Sequence, residues 1–197
     1  MNIDRHQIIK RWTEELDGVF TLADLKVALD VDSEATLFRS LADLTDRGTL
    51  VKVKRGIYAV PQASLEVISS RIEPQAYVST GTVLARNAII GSIPARRLQA
   101  VKCGRPRTYQ CPLGTIEHLS ITPRLHFGFE FERERRVATP EKAFLDVYYF
   151  LYKGKAFSFD PSTDANVDAL NENLIADYLV HYEPRFVSFF ERIWSVG

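Results

Sequence analysis

Thr36, Arg39 and Ser40 flank a segment in which Leu37, Leu41 and Leu44 recur at helical spacing, and Lys52, Lys54 and Arg55 follow within a short β-like stretch. These are the residue types that read and grip nucleic acid. A guanidinium bonds the guanine edge, hydroxyls reach bases or phosphates, and Ala35 is small enough for close approach. Lysines and arginines on a hairpin neutralise phosphates. Asp43 and Asp46 oppose this chemistry, and an ordinary solvated helix face fits the same residues.

A second group lies in the middle of the chain. From Pro74 to Ile116 there is no acidic residue, whereas Arg86, Arg96, Arg97, Lys102, Arg105 and Arg107 fall there. Arg96, Arg97, Lys102, Arg105 and Arg107 extend a basic surface that suits phosphates, internal pairing with an acidic tail, or an acidic protein partner. Cys103, Cys111, His118 and His126 are spaced too evenly and too widely for a zinc knuckle, so no metal is expected, and two buried thiols with two ordinary histidines account for them. Glu130, Glu132 and Glu134 alternate like the exposed face of a strand. No phosphate-cradling loop, dinucleotide fingerprint, zinc-protease motif or nucleophile elbow occurs. The chain reads as a non-enzyme without cofactor.

The positioning elements follow from periodicity and caps. Ile8, Ile9, Trp12 and Leu16 predict a helix over Asp4 to Leu16. Thr21 caps a helix over Leu22 to Leu29, and Ser33 caps the Leu37 helix, which Gly48 ends. Val19-Phe20 is a short apolar entry. Leu50 to Val53 and Ile57 to Val60 form a hairpin around Lys54-Arg55-Gly56. Three helices and a hairpin in this order make a winged helix-turn-helix; a helical bundle with an unrelated hairpin is the alternative. Beyond it, Ala63 to Arg71 is helical, Tyr77 to Ser79 a strand and Thr82 to Asn87 a helix. Strands are expected at Leu98–Val101, Thr108–Cys111, Thr115–Ile121 and around Phe127–Phe131. Thr139 and Pro140 open a helix with Glu141 in its first turn, and Lys142 and Asp146 stand one turn apart. Val167, Leu170, Leu174, Tyr178 and Tyr182 are spaced for one further helix, and Phe186 to Trp194 for a last one.

The fold class is therefore α+β: an N-terminal winged helix-turn-helix over 1–62, then an α+β domain over 63–197 whose helical, acidic tail begins near residue 160. The length of 197 residues admits one or two domains. The 46% hydrophobic and 25% charged fractions exclude general disorder, and the 25 basic residues balance the 25 acidic ones, which by itself argues against a polybasic binder although a zero sum can hide segregation. No apolar run is long enough for a membrane span, and Met1 to His6 lacks the features of a signal peptide, so a cytoplasmic protein with free thiols is expected.

Three segments together resemble the AbiEi family of abortive-infection antitoxins and transcriptional regulators: Phe20-Thr21-Leu22-Ala23-Asp24-Leu25, the wing Arg55-Gly56-Ile57-Tyr58-Ala59-Val60, and Ala138-Thr139-Pro140-Glu141-Lys142-Ala143-Phe144-Leu145-Asp146. Tyr77-Val78-Ser79 and Gly104-Arg105-Pro106-Arg107 add to it. The resemblance spans Phe20 to Tyr152 and leaves out the acidic tail. It implies an autorepressor on double-stranded operator DNA bearing inverted repeats. It also implies an antitoxin, in a type IV system, opposing a nucleotidyltransferase-like toxin without a stable complex. It puts the wing role on Lys54, Arg55, Gly56 and Tyr58, and the second-domain hallmark on Pro140, Glu141, Lys142 and Asp146. Read from the residues alone, that hallmark is either a helix start with an intrahelical pair or a functional surface. The alternative for the whole chain is a protein-interaction module whose winged fold no longer binds DNA.

Overall fold

The computed structural model describes residues 4–133 and 135–194. The chain forms two compact units, one of residues 1–74 with 108–116, the other of 75–107 with 117–197.

In the first unit, α1 (Arg5–Glu15) is followed by β1 (Val19–Thr21), α2 (Leu22–Ala28), α3 (Glu34–Asp46), β2 (Val51–Lys54), β3 (Ile57–Ala59) and α4 (Leu65–Ile72). Thr21 and Asp24 cap α2 reciprocally: Thr21 Oγ1 accepts from the Asp24 N–H at 3.2 Å, and Asp24 Oδ2 accepts from the Thr21 N–H at 2.8 Å. Ser33 Oγ caps α3 by accepting from the Thr36 N–H at 3.2 Å. The Val19-Phe20 entry is a strand, because β3 gives it an antiparallel partner: Val19 faces Ala59 and Phe20 faces Tyr58. The resulting sheet has the order β1-β3-β2. One side of each of α1, α2 and α3 closes a single core of Ile9, Phe20, Leu25, Leu37, Leu41, Leu44 and Leu50. The winged helix-turn-helix is thus the arrangement adopted, and α4 packs against β1 and β3.

The remaining elements are β4 (Tyr77–Val78), α5 (Gly81–Arg86), β5 (Arg97–Cys103), β6 (Arg107–Cys111), β7 (Gly114–Ile121), β8 (Phe129–Glu132), β9 (Arg135–Ala138), α6 (Pro140–Tyr152), α7 (Glu172–Leu179) and α8 (Pro184–Trp194). A six-stranded sheet runs β6-β7-β5-β4-β9-β8. In it β4 is antiparallel to β5 and parallel to β9, with Tyr77 opposite both Val101 and Arg136. The strand β9 carries no apolar alternation of its own and is held between β4 and its antiparallel hairpin partner β8, with Phe129 opposite Ala138 and Glu132 opposite Arg135. Thr139 caps α6 by accepting from the Lys142 N–H at 3.2 Å. Residues Glu141 to Phe150 of α6 are all buried, because α5, α7, α8 and β9 pack around it. Rings interlock edge to face across α6 and α8, with Tyr148 and Phe190 centroids 5.1 Å apart.

The single helix expected over Val167 to Tyr182 does not form. Val167–Ala169 is a 3-10 turn, Leu170 is extended, and Asn171 caps the shorter α7, its Oδ1 accepting from the Leu174 N–H at 3.2 Å. A cap inside an apolar repeat ends one helix and starts another whatever the spacing.

Candidate nucleic-acid interface

Helix α3 buries Leu37, Leu41 and Leu44 and turns Ala35, Thr36 and Arg39 to solvent. Thr36 Oγ1 accepts from the Ser33 hydroxyl at 2.8 Å, which leaves its own proton to donate outward. Ser40 is different from what its place in the sequence suggests. Its side chain is buried, and its hydroxyl donates to the Thr36 carbonyl at 2.9 Å. It is one residue from Leu41 and shares the inward face, so it cannot touch a base. Asp43 accepts from Arg47 Nε at 2.8 Å, so its charge is matched on the helix itself. Asp46 is exposed.

The exposed face of α3 also carries Phe38, 49% accessible. Sequence reading passes over it because it sits one position from Leu37 and counts as core by type. In the hairpin, Lys52 and Arg55 are exposed and Lys54 half-buried, and Lys54 Nζ bonds the Arg55 carbonyl at 3.4 Å. Lys52 stands opposite Tyr58, and the register slips between Lys52 and Lys54. All of these residues belong to the first unit.

The basic stretch of the middle is divided. Arg96, Arg105 and Arg107 are exposed and Lys102 is half-buried. Arg97 pairs with Glu117 of β7 at 3.3 Å. Glu183, in the acidic tail, pairs with Lys153 at 3.4 Å. Cys103 and Cys111 are half-exposed free thiols rather than buried ones. His118 is buried and His126 bonds the Gln75 carbonyl at 2.9 Å. Glu130 and Glu132 are exposed on β8, where Glu132 accepts from Arg86 at 2.8 Å; Glu134 lies outside the described residues.

Of Pro140, Glu141, Lys142 and Asp146, only Pro140 is half-exposed, and the other three are buried. Lys142 and Asp146 are fully buried and ion-paired one turn apart on α6. Asp146 Oδ2 also accepts from Tyr77 Oη at 3.0 Å and from Ser79 Oγ at 2.7 Å, while Lys142 Nζ donates to Tyr77 Oη at 3.0 Å. The ammonium lies within 5.3 to 5.9 Å of the Phe127, Tyr77 and Tyr182 ring centres. Gly128, at φ 71°, lets the lysine stem pass: a Cβ there would come 3.0 Å from Lys142 Cγ. Burial lowers the Lys142 pKa against the pull of Asp146, and burial followed by the Asp146 charge raises Tyr77 well above its ordinary value. Glu141 Oε1 accepts from the Asn171 N–H at 3.1 Å and ties α7 to α6. Pro140 occupies the first turn of α6. Tyr77 and Ser79 are sixty-odd residues away in the chain, and no local pattern announces them as partners.

Residues 7–61 match the family model described as "Transcriptional regulator, AbiEi antitoxin". The AbiEi resemblance holds for this domain. The match runs from within α1 to the end of β3, so the leucine stripe of α3 and the Arg55-Gly56 wing lie in the segment that is similar to this family. Among solved structures, the crystal structure of the RV2827C protein from Mycobacterium tuberculosis has a similar fold. Its TM-score is 0.57 over 91% of this chain and 72% of that one, at 12% identity. No curated protein matches the chain. No helix among the described residues is long and apolar enough to cross a membrane.

Proposed function

We propose that this chain is a DNA-binding transcriptional autorepressor that also acts as the antitoxin of a type IV, AbiE-like system. The observation that carries the reading is the AbiEi-type winged helix-turn-helix, with Arg39 and Thr36 on the outer face of α3 and a cationic hairpin in the same unit. In this reading Arg39 bonds a guanine edge and Thr36 bonds a base or phosphate. Lys52, Lys54 and Arg55 hold the backbone, and Arg96, Lys102, Arg105 and Arg107 add non-specific phosphate attraction. Residues 1–62 are the reading domain and 63–197 the antitoxin-like one. Its functional partner is a nucleotidyltransferase-like toxin opposed without a stable complex, and the protein works in the cytoplasm.

The test is titration of the protein into its own upstream duplex and into a scrambled duplex, at several salt concentrations. The reading expects tighter binding to the native duplex and a steep fall with salt. Equal binding to both duplexes assigns DNA contact to the basic stretch alone. Absence of binding to either overturns the reading in favour of a protein-interaction module.

A further inference from the structure

The second unit contains a cavity of about 180 Å³ that the DNA-binding reading does not use. Its floor is Gly81, where a Cβ would come 2.9 Å from Phe159 Cε1 and 3.2 Å from Ile93 Cγ2. The missing side chain lets the Phe159 ring sit against the backbone. Phe157 joins it, with ring centres 5.6 Å apart, and the two make an apolar wall.

Polar residues also line the cavity, and Gln99 among them is fixed in place. Gln99 is held at both ends: its Oε1 accepts from Thr80 Oγ1 at 2.8 Å, and its Nε2 donates to Glu117 Oε2 at 2.9 Å. Glu117 also takes Lys155 at 2.6 Å and Arg97 at 3.3 Å. Partial burial pushes the Glu117 carboxyl up, but the bonds from Gln99, Lys155 and Arg97 outweigh it and hold its pKa below the ordinary value. Two cations therefore share one ionised carboxylate, and one positive charge is left over. Lys155 has the shorter bond. Arg97 has the long one, its side chain is 51% accessible, and it lines the cavity. A guanidinium has five donors in a fork that fits a carboxylate, so Arg97 can meet a second anion while staying near the first.

We propose that this cavity binds a small organic anion with a flat apolar body, benzoate being the simplest example. Arg97 takes the carboxylate, and Phe157 and Phe159 take the ring. A cation is disfavoured by the surplus positive charge. A hydroxyl-rich ligand would leave polar groups unpaired against two phenylalanines. The proposal stands independently of DNA binding.

The test uses the full chain with benzoate and, as its neutral counterpart, benzyl alcohol, followed by calorimetry and amide shift mapping. Benzoate is expected to saturate a single site at least tenfold more tightly than benzyl alcohol and to weaken as salt rises. Arg97→Gln, at a half-exposed position, should weaken benzoate about tenfold or more and leave benzyl alcohol unchanged. Phe157→Ala should weaken both. The shifted amides should centre on Gly81, Thr82 and Gln99. The proposal is overturned if benzoate fails to saturate by about 10 mM, a concentration at which even millimolar sites fill. It is equally overturned if benzoate binds no better than benzyl alcohol, if Arg97→Gln binds benzoate as the parent does, or if the shifts lie elsewhere. Where Phe157→Ala does not fold, the Arg97 and shift results decide.

Discussion

Arg39 on α3 and Lys142 on α6 each stand four residues before an aspartate, Asp43 and Asp146, yet the two helices use the same spacing in opposite ways. On α3, Asp43 turns to Arg47 at 2.8 Å and Arg39 stays exposed. On α6 the pair closes with neither partner accessible to solvent, and Tyr77 and Ser79 complete it. Cation-before-acid is the weaker order for a helical pair, so local preference does not close the α6 pair. Burial does, because an unpaired charge inside a protein costs several kcal/mol whereas an exposed one is hydrated at no cost. A cation left open is available to a partner, and a cation closed into a network is available only to the fold.

The comparison can be broken most directly at Lys142. Lys142→Met or Asp146→Asn should each destabilise the second unit by about 3–5 kcal/mol, read by denaturant unfolding, because each strands a buried group. The double change Lys142→Met with Asp146→Leu should recover much of that loss. A single variant as stable as the parent would show that the pair is not closed off from water. At the open cation the effect belongs in binding: Arg39→Ala should cost about 1–3 kcal/mol on the native duplex, relax sequence discrimination and leave thermal stability unchanged. Lys54→Ala with Arg55→Ala should weaken all duplexes evenly and reduce the salt slope by about 2. Thr21→Ala removes one arm of the α2 capping box and should cost about 1 kcal/mol in unfolding. The smallest effect is expected at Glu117. Its folded pKa is depressed, so its contribution is fully present above the ordinary carboxylate value of about 4.3 and is lost as pH falls through the lower folded value. Glu117→Gln should flatten that acid slope in a stability–pH series.

Much of the fold was legible because its signals are local. Thr21, Ser33 and Thr139 each cap a helix where type and position place the cap, and the Leu37, Leu41, Leu44 stripe fixes which side of α3 faces the core. The strand β1 was not legible, since it depends on β3, a partner distant in sequence, and β9 was not legible because Arg135-Arg136-Val137-Ala138 lacks apolar alternation although its hairpin partner β8 is adjacent. Ser40 and Phe38 reverse what residue type suggests. Ser40 bonds the Thr36 carbonyl inside the domain and Phe38 stays outside, because helical angle outranks polarity when the neighbouring leucines anchor the face.

The sequence by itself determined the capped starts of α2, α3 and α6 and the winged order of the first domain, which rest on neighbours a few residues apart, and the AbiEi resemblance, which rests on residue types in three short segments. The tertiary structure alone decided which charges are open and which are closed. Lys142 meets Tyr77 and Asp146 meets Ser79 across more than sixty residues, and Glu117 of β7 draws both Arg97 of β5 and Lys155, which follows α6. Solvation energy depends on what surrounds a group in space, and a linear pattern of residue types does not contain that information.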